Sequence, residues 1–273
     1  MQIVLSCGQY TIRIEGPEKL LDPILPQWKK YQAANKVPNI VFRIVEGIDA
    51  CSVHPVNGWS IHTDGESKQV LYSSKGNPDF ALVYSSPVSK MTLQISEGKG
   101  GFLKIGILYG LLLTLHTKSI GLHGVTLLCG NEIFILSAPS GTGKTTLAHL
   151  LETYCDASVI NGDFALLTPT ENGVIFEPTP FCGSSGRCLN HRVRVNRVVF
   201  LEQGKTNEWQ KLEEREATIR FMSNAFVPTW DGGMQQAVQE NILKCISMLK
   251  VNLFSFAPTQ EAAEMFLNQL SPQ

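Results

Sequence analysis

Ala138-Pro-Ser-Gly-Thr-Gly-Lys-Thr145 carries more information than any other stretch of this 273-residue chain. Before it, Glu132-Ile-Phe-Ile-Leu-Ser137 is a short apolar run suited to a buried strand. After it, Thr146-Leu-Ala-His-Leu-Leu-Glu-Thr-Tyr154 places Leu147, Leu150 and Leu151 on one side of a helix. Strand, small-residue loop and helix in that order are the context a phosphate-binding loop requires. Ala138, Gly141 and Gly143 let the backbone curl until successive N–H groups converge on phosphate oxygens, and the helix N-terminus adds a favourable dipole. Lys144 is expected to reach the outer phosphates. The Thr145 hydroxyl suits the magnesium ion that accompanies a nucleotide, and Thr146 is a further phosphate contact. The expected cofactor-binding set is therefore Ala138, Pro139, Ser140, Gly141, Thr142, Gly143, Lys144, Thr145 and Thr146.

Composition bounds the rest. With 43 % hydrophobic and 17 % charged residues the chain can bury a large core, and it reads as one larger domain plus a smaller one. A net charge of −1 gives no long-range attraction for nucleic acid or an anionic membrane, so neither is an expected partner. The N-terminal Met1-Gln-Ile-Val-Leu-Ser-Cys7 lacks the features of a secretory signal, and a cytoplasmic protein is expected. The longest apolar run, Ile105–Leu115, is shorter than the ~18 residues that span a bilayer and reads as a buried helix. Seven cysteines at 7, 51, 129, 155, 182, 188 and 245 do not read as a disulfide framework and suit a reducing compartment. Cys182, Cys188 and His191 are close in sequence, but their spacing and the lack of a fourth ligand argue against zinc.

Residues 1–100 read as a β-rich, antiparallel α+β domain. Strands are expected at Tyr10–Glu15, Asn39–Val45, Gly58–His62, Gln69–Tyr72 and Met91–Ile95, turns at Asn57-Gly58, Asp64-Gly65 and Gly76-Asn77-Pro78, and one helix over Glu18–Ala34. The cluster Glu97-Gly-Lys-Gly-Gly101 marks the expected boundary. Residues 101–273 read as an α/β domain. A helix over Phe102–Lys118 leads to two strands joined at Gly130-Asn131 and then the phosphate loop. Further strands are expected at Ala157–Ile160, Phe164–Thr168, Val174–Glu177, Arg197–Glu202 and Val251–Phe256, with helices at Leu212–Met222, Gln235–Leu249 and Gln260–Gln269.

Three further positions bear on chemistry. Asp163, in Val159-Ile-Asn-Gly-Asp-Phe-Ala-Leu-Leu167, sits between apolar runs where an unpaired carboxylate is costly, which suits a magnesium or phosphate site; a local Asn-Gly-Asp hairpin turn is the competing reading. His123, in Leu122-His-Gly-Val125, is placed to orient a carboxylate or shuttle a proton, against an ordinary structural role. Arg187, His191, Arg192, Arg194 and Arg197 form the densest positive stretch. Arg187, which follows the loop Pro180-Phe-Cys-Gly-Ser-Ser-Gly186, is the best candidate to clamp transferring phosphoryl oxygens, whereas Arg192-Val-Arg-Val195 alternates like a half-solvated strand.

Together these elements resemble the HPr kinase and phosphoenolpyruvate carboxykinase superfamily of phosphate-loop proteins, over about residues 100–270. Ser140-Gly-Thr-Gly-Lys-Thr-Thr-Leu147 looks like the carboxykinase phosphate loop. The order His123-Gly124, phosphate loop, Asp163, Pro-Phe-Cys-Gly loop is similar to HPr-kinase-like proteins, whose smaller relatives include kinases of lasso-peptide precursors. The resemblance implies a mixed sheet with flanking helices, ATP and Mg2+ as cofactors, and phosphoryl transfer to a hydroxyl. Lys144, Asp163, His123 and Arg187 would be catalytic, and Thr145 and Asp163 would hold the metal. In that family the acidic motif commonly has two adjacent aspartates; here Gly162 stands at the first position. The expected function is an ATP-dependent kinase acting on a Ser or Thr hydroxyl of a peptide or small protein. A catalytically degenerate nucleotide sensor or scaffold and a small-molecule kinase are the alternatives. HPr kinases form hexamers, so a homo-oligomer stays open.

Overall fold

The computed structural model describes residues 1–33, 35–49, 58–86 and 88–270, and it divides into two units, Met1–Leu115 and His116–Gln273. Cys51, Asn57 and the expected helix end at Ala34 lie outside the described residues.

The first unit begins with a hairpin, β1 (Gln2–Cys7) and β2 (Tyr10–Glu15). Short helical pieces follow, α1 (Glu18–Leu21), a 3-10 turn, α2 (Leu25–Trp28) and a second 3-10 turn at Lys29–Tyr31, where one helix was expected. Pro23 and Pro26 explain the difference, because each removes a backbone donor and crowds the preceding turn. Strands β3 (Ile40–Glu46), β4 (Gly58–Asp64), β5 (Ser67–Ser73), β6 (Phe80–Ser85) and β7 (Lys90–Ile95) complete a sheet of order β1-β2-β3-β7-β6-β5-β4. The sheet is mixed and not purely antiparallel as expected, since β3 runs parallel to both β2 and β7.

Helix α3 (Leu103–Leu115) lies within this first unit. Two glycines permit the close approach. A Cβ on Gly106 would lie 2.7 Å from Leu93 Cδ1, and one on Gly110 would lie 2.8 Å from Met91 Sδ while striking Phe42. The helix therefore lies directly on β3 and β7, and among the described residues no helix is long and apolar enough to cross a membrane.

The second unit follows the expected order closely. It comprises β8 (Ile120–Cys129), β9 (Glu132–Ser137), α4 (Lys144–Tyr154), β10 (Ser158–Asn161), β11 (Phe164–Thr170), β12 (Gly173–Glu177), β13 (Val193–Val195), β14 (Arg197–Gln203), β15 (Glu208–Lys211), α5 (Glu214–Asn224), α6 (Gly232–Met248), β16 (Lys250–Phe256) and α7 (Gln260–Leu270). The sheet order is β13-β12-β11-β8-β9-β14-β16-β15, with β10 also paired to β8. At its centre β9, β14 and β16 are parallel, and antiparallel strands flank them.

Helices cover both faces, which is why these strands read as continuous apolar runs. Ile135, Val198 and Phe200 face a core shared with Phe221 of α5 and Ile242 of α6. Their neighbours Phe134, Leu136, Val199 and Leu201 face the opposite core, with Leu147 and Leu151 of α4 and Phe266 of α7. Two-residue alternation thus distributes one strand between two cores, and the carboxyl ends of β9 and β14 open side by side, where α/β sheets bind ligands.

Candidate functional site

The loop between β9 and α4 is shaped by its glycines. Gly141 and Gly143 have φ of 82° and 105°, a region that side chains with a Cβ enter at a cost, and Gly143 is the N-cap of α4. Phe256 closes one side, 3.2 Å from where a Gly143 Cβ would stand. Ala138 is buried at the end of β9, Pro139, Ser140 and Gly141 are exposed, Thr142 is half-buried, and Thr145 and Thr146 are exposed in the first turn of α4. Free N–H groups at a helix start make an anion-binding end, and here the start is rimmed by hydroxyls and one amine.

That amine is Lys144. It is buried to 8 % exposure, and its Nζ donates to the carbonyls of Ala138 at 2.7 Å and Pro139 at 3.0 Å. Burial pushes its pKa below the ordinary lysine value, while the Asp163 carboxylate pulls it back up. Lys144 and Asp163 thus share one electrostatic neighbourhood, although 19 positions separate them in sequence.

The sheet supplies the acid. Strands β10 and β11 both pair with β8, β10 with Thr126–Leu128 and β11 with Ile120–His123; β10 bulges between Val159 and Asn161, just before the chain bends at Gly162-Asp163. Asn161, fully buried, organises the bend: its Oδ1 accepts from the amides of Asp163 at 3.3 Å and Phe164 at 3.2 Å, and its Nδ2 donates to the Phe181 carbonyl at 3.4 Å. The local Asn161 turn bonds are therefore present, but the expected hairpin is not, because β10 and β11 pair with β8 and not with each other, and the Asp163 carboxylate is exposed and not buried between the apolar runs. Opposite Asp163, the Gly124 amide donates to the Asp163 carbonyl, and a Gly124 Cβ would lie 2.8 Å from the Leu136 carbonyl oxygen, so only glycine lets β8 and β9 approach there. His123 sits within β8, half-exposed, with Nε2 3.4 Å from Asp163 Oδ1. Lys144, Asp163 and His123 are thus brought together.

Arg187 is anchored to α4. Its guanidinium pairs with Glu152 of α4, and Glu152 also accepts from the Val159 amide. Among the other cations of that stretch, Arg192 pairs with the buried Glu177, Arg194 packs over Gly173, and Arg197 bonds Asn252 beneath Trp209; these are structural roles.

The loop carrying Arg187 corrects the reading of the cysteines. Cys182 and Cys188 form a disulfide, with Cα atoms 5.4 Å apart, which removes both thiols as zinc ligands and departs from the expectation of unpaired cysteines. The closed loop lies on the bend: Asn161 bridges to Cys188, and a Cβ on Gly183 would lie 2.7 Å from Asp163 Cβ.

A further group was not singled out in the sequence. Arg220 of α5 donates through Nη2 to Glu202 Oε1 at 2.7 Å and to Glu216 Oε1 at 3.1 Å, beside the loop. The Glu216/Arg220 spacing of four on a predicted helix was the available signal; Glu202 ends a strand, and its proximity is a tertiary effect.

Neither a protein-family model nor a curated protein matches the chain. Among solved structures, the HPr(Ser) kinase/phosphatase from Coxiella burnetii is similar over 55 % of this chain and 87 % of its own, at 9 % identity and a TM-score of 0.31. A likeness that slight carries no weight for the fold or the site, and the functional reading rests on the residues themselves.

Proposed function

We propose that the second unit is an ATP-dependent kinase that transfers the γ-phosphoryl group to a serine or threonine hydroxyl of a peptide or small protein. The observation that carries this reading is the convergence of Lys144, at a glycine-shaped helix start, with the pair formed by His123 of β8 and Asp163 of the β10–β11 bend. Backbone amides of the 138–146 loop, Pro139 excepted, hold the phosphates, and Lys144 exchanges its carbonyl partners for phosphate oxygens. The exposed Thr145 hydroxyl and Asp163 carboxylate supply hard oxygen ligands suited to magnesium. Magnesium held there would supply neutralisation of phosphate charge. The acceptor oxygen forms the new P–O bond, the bond to the β-phosphate oxygen breaks, ADP leaves, and the hydroxyl proton passes to Asp163, oriented by His123.

Incubation of candidate peptides with γ-labelled ATP, followed by mass spectrometry, tests the reading. Modified Ser or Thr is expected, with Asp163→Asn lowering the rate by about 10²-fold or more. Full transfer by Lys144→Ala would contradict it. A second reading, a nucleotide sensor without turnover, is favoured by one observation: Gly162 offers no carboxylate where the resembling family commonly has its first aspartate. It predicts saturable Mg-ATP binding without ADP release under any acceptor.

A further inference from the structure

A cleft of ≈ 820 Å³ opens on the β14 side of the loop, between Pro139–Thr142, the end of β14 and one face of α5. Its volume lies in the range of small-molecule sites, and it stands outside the carboxyl ends of parallel strands. Its position relative to Asp163 is informative. Strand β9 has β8, with His123 and the bend, on one side and β14 on the other, so the loop separates the cleft from the Asp163–His123 pair. A polyphosphate lying along the loop would reach from the Asp163 side to the cleft side.

The lining selects among occupants. Arg220 carries one positive charge against the two carboxylates of Glu202 and Glu216, a local sum of +1 − 2 = −1, which disfavours a phosphate or an acidic peptide and favours neutral hydrogen-bond donors. A vicinal diol is such a donor, and carboxylates hold ribose hydroxyls in dinucleotide sites. Ile219, 57 % exposed on the cleft wall, offers an apolar face for a planar ring. The Asn224 amide nitrogen donates to the Arg220 carbonyl at 2.9 Å, leaving its Oδ1 to accept from an exocyclic amine.

Resting on the kinase reading above, we propose that this cleft is the nucleoside subsite. Glu216 and Glu202 accept hydrogen bonds from the ribose hydroxyls, Ile219 packs on the base, and Asn224 reads an amino group at its edge. The γ-phosphate then lies toward Asp163 and the acceptor approaches from the β8 side.

Titration calorimetry with magnesium tripolyphosphate and magnesium ATP separates the two claims. The wild-type chain is expected to bind ATP at least about tenfold more tightly than tripolyphosphate, because only ATP fills the cleft. Ile219→Asp should remove most of that margin and leave tripolyphosphate affinity unchanged. 2′,3′-Dideoxy-ATP should bind the wild type more weakly than ATP, with the difference shrinking in Glu216→Gln. Equal affinity for ATP and tripolyphosphate in the wild type, or an Ile219→Asp variant that loses only peptide binding, would overturn the subsite while the phosphate loop stands. Failure of tripolyphosphate itself to bind would bring down the loop reading.

Discussion

Gly162 and Ser185 are in such close contact that no side chain fits at position 162: a Cβ there would overlap Ser185 Oγ, lie 2.7 Å from Ser185 Cβ and stand 3.0 Å from the Cys182 carbonyl oxygen. The disulfide-closed loop fills the space that a carboxylate at 162 would need. Gly162→Asp is therefore expected to lower stability by about 1–3 kcal/mol through overpacking without raising phosphoryl transfer. Thermal denaturation beside a turnover assay checks both; a stable, faster Gly162→Asp variant would show that the loop yields freely.

The loop is itself held by the Cys182–Cys188 bridge over a sequence separation of 6. Closing so short a loop restricts the unfolded chain by about 2 kcal/mol on the entropic account. Cys182→Ser/Cys188→Ser should lose roughly that amount in a denaturant titration, and a reducing agent should lower the wild type to the same level while leaving the double variant unchanged.

Lys144 predicts a pH dependence of binding. Burial holds its pKa below the ordinary value, and an incoming polyphosphate stabilises the ammonium and raises it. Between the lowered free value and the raised bound value, binding takes up protons, and affinity falls as pH rises through the free value. Calorimetry at alkaline pH in buffers of different ionisation enthalpy should give different apparent heats. Identical heats in the wild type would contradict this, and Lys144→Met should abolish the difference.

Packing makes a contrasting pair. Phe266 is fully buried, with ring centroids 5.2 Å from Phe134, 5.2 Å from Trp209 and 5.5 Å from Phe254. Phe266→Ala should cost about 3–5 kcal/mol by leaving a cavity. Ile219→Ala, on the exposed cleft wall, should stay within about 0.5 kcal/mol of wild type. Denaturant midpoints for the two variants test whether the cleft wall is free of core packing.

How much was legible depended on whether the signal was local. Strand β9 and helix α4 announce themselves through apolar periodicity, and the β8–β9 turn through Gly130, which has φ of 57°. Strand β15 does not, because Glu208-Trp-Gln-Lys211 is a short, largely exposed run with little hydrophobic alternation. The parallel pairing of β3 was hidden because strand direction is set by connections and packing, not by propensity. Asp163 and His123 were legible one by one, but their 3.4 Å approach comes from strand register. Sequence spacing read Cys182 and Cys188 as unpaired thiols, and the fold brings them to bonding distance. The Glu202–Arg220 pair spans 18 positions and joins a strand end to a helix, which no periodicity reveals.

The central claim is that the backbone amides of the 138–146 loop, Pro139 excepted, grip a polyphosphate together with Lys144. Calorimetric titration of magnesium ATP into the wild-type chain and into Lys144→Ala tests it most directly, with circular dichroism to show that both are folded. Saturable one-to-one binding by the wild type, weakened at least about 10²-fold in the variant, a difference near 2.7 kcal/mol, is the expected result. Equal affinity in the two proteins, or no heat from the folded wild type with ATP or tripolyphosphate, would contradict it.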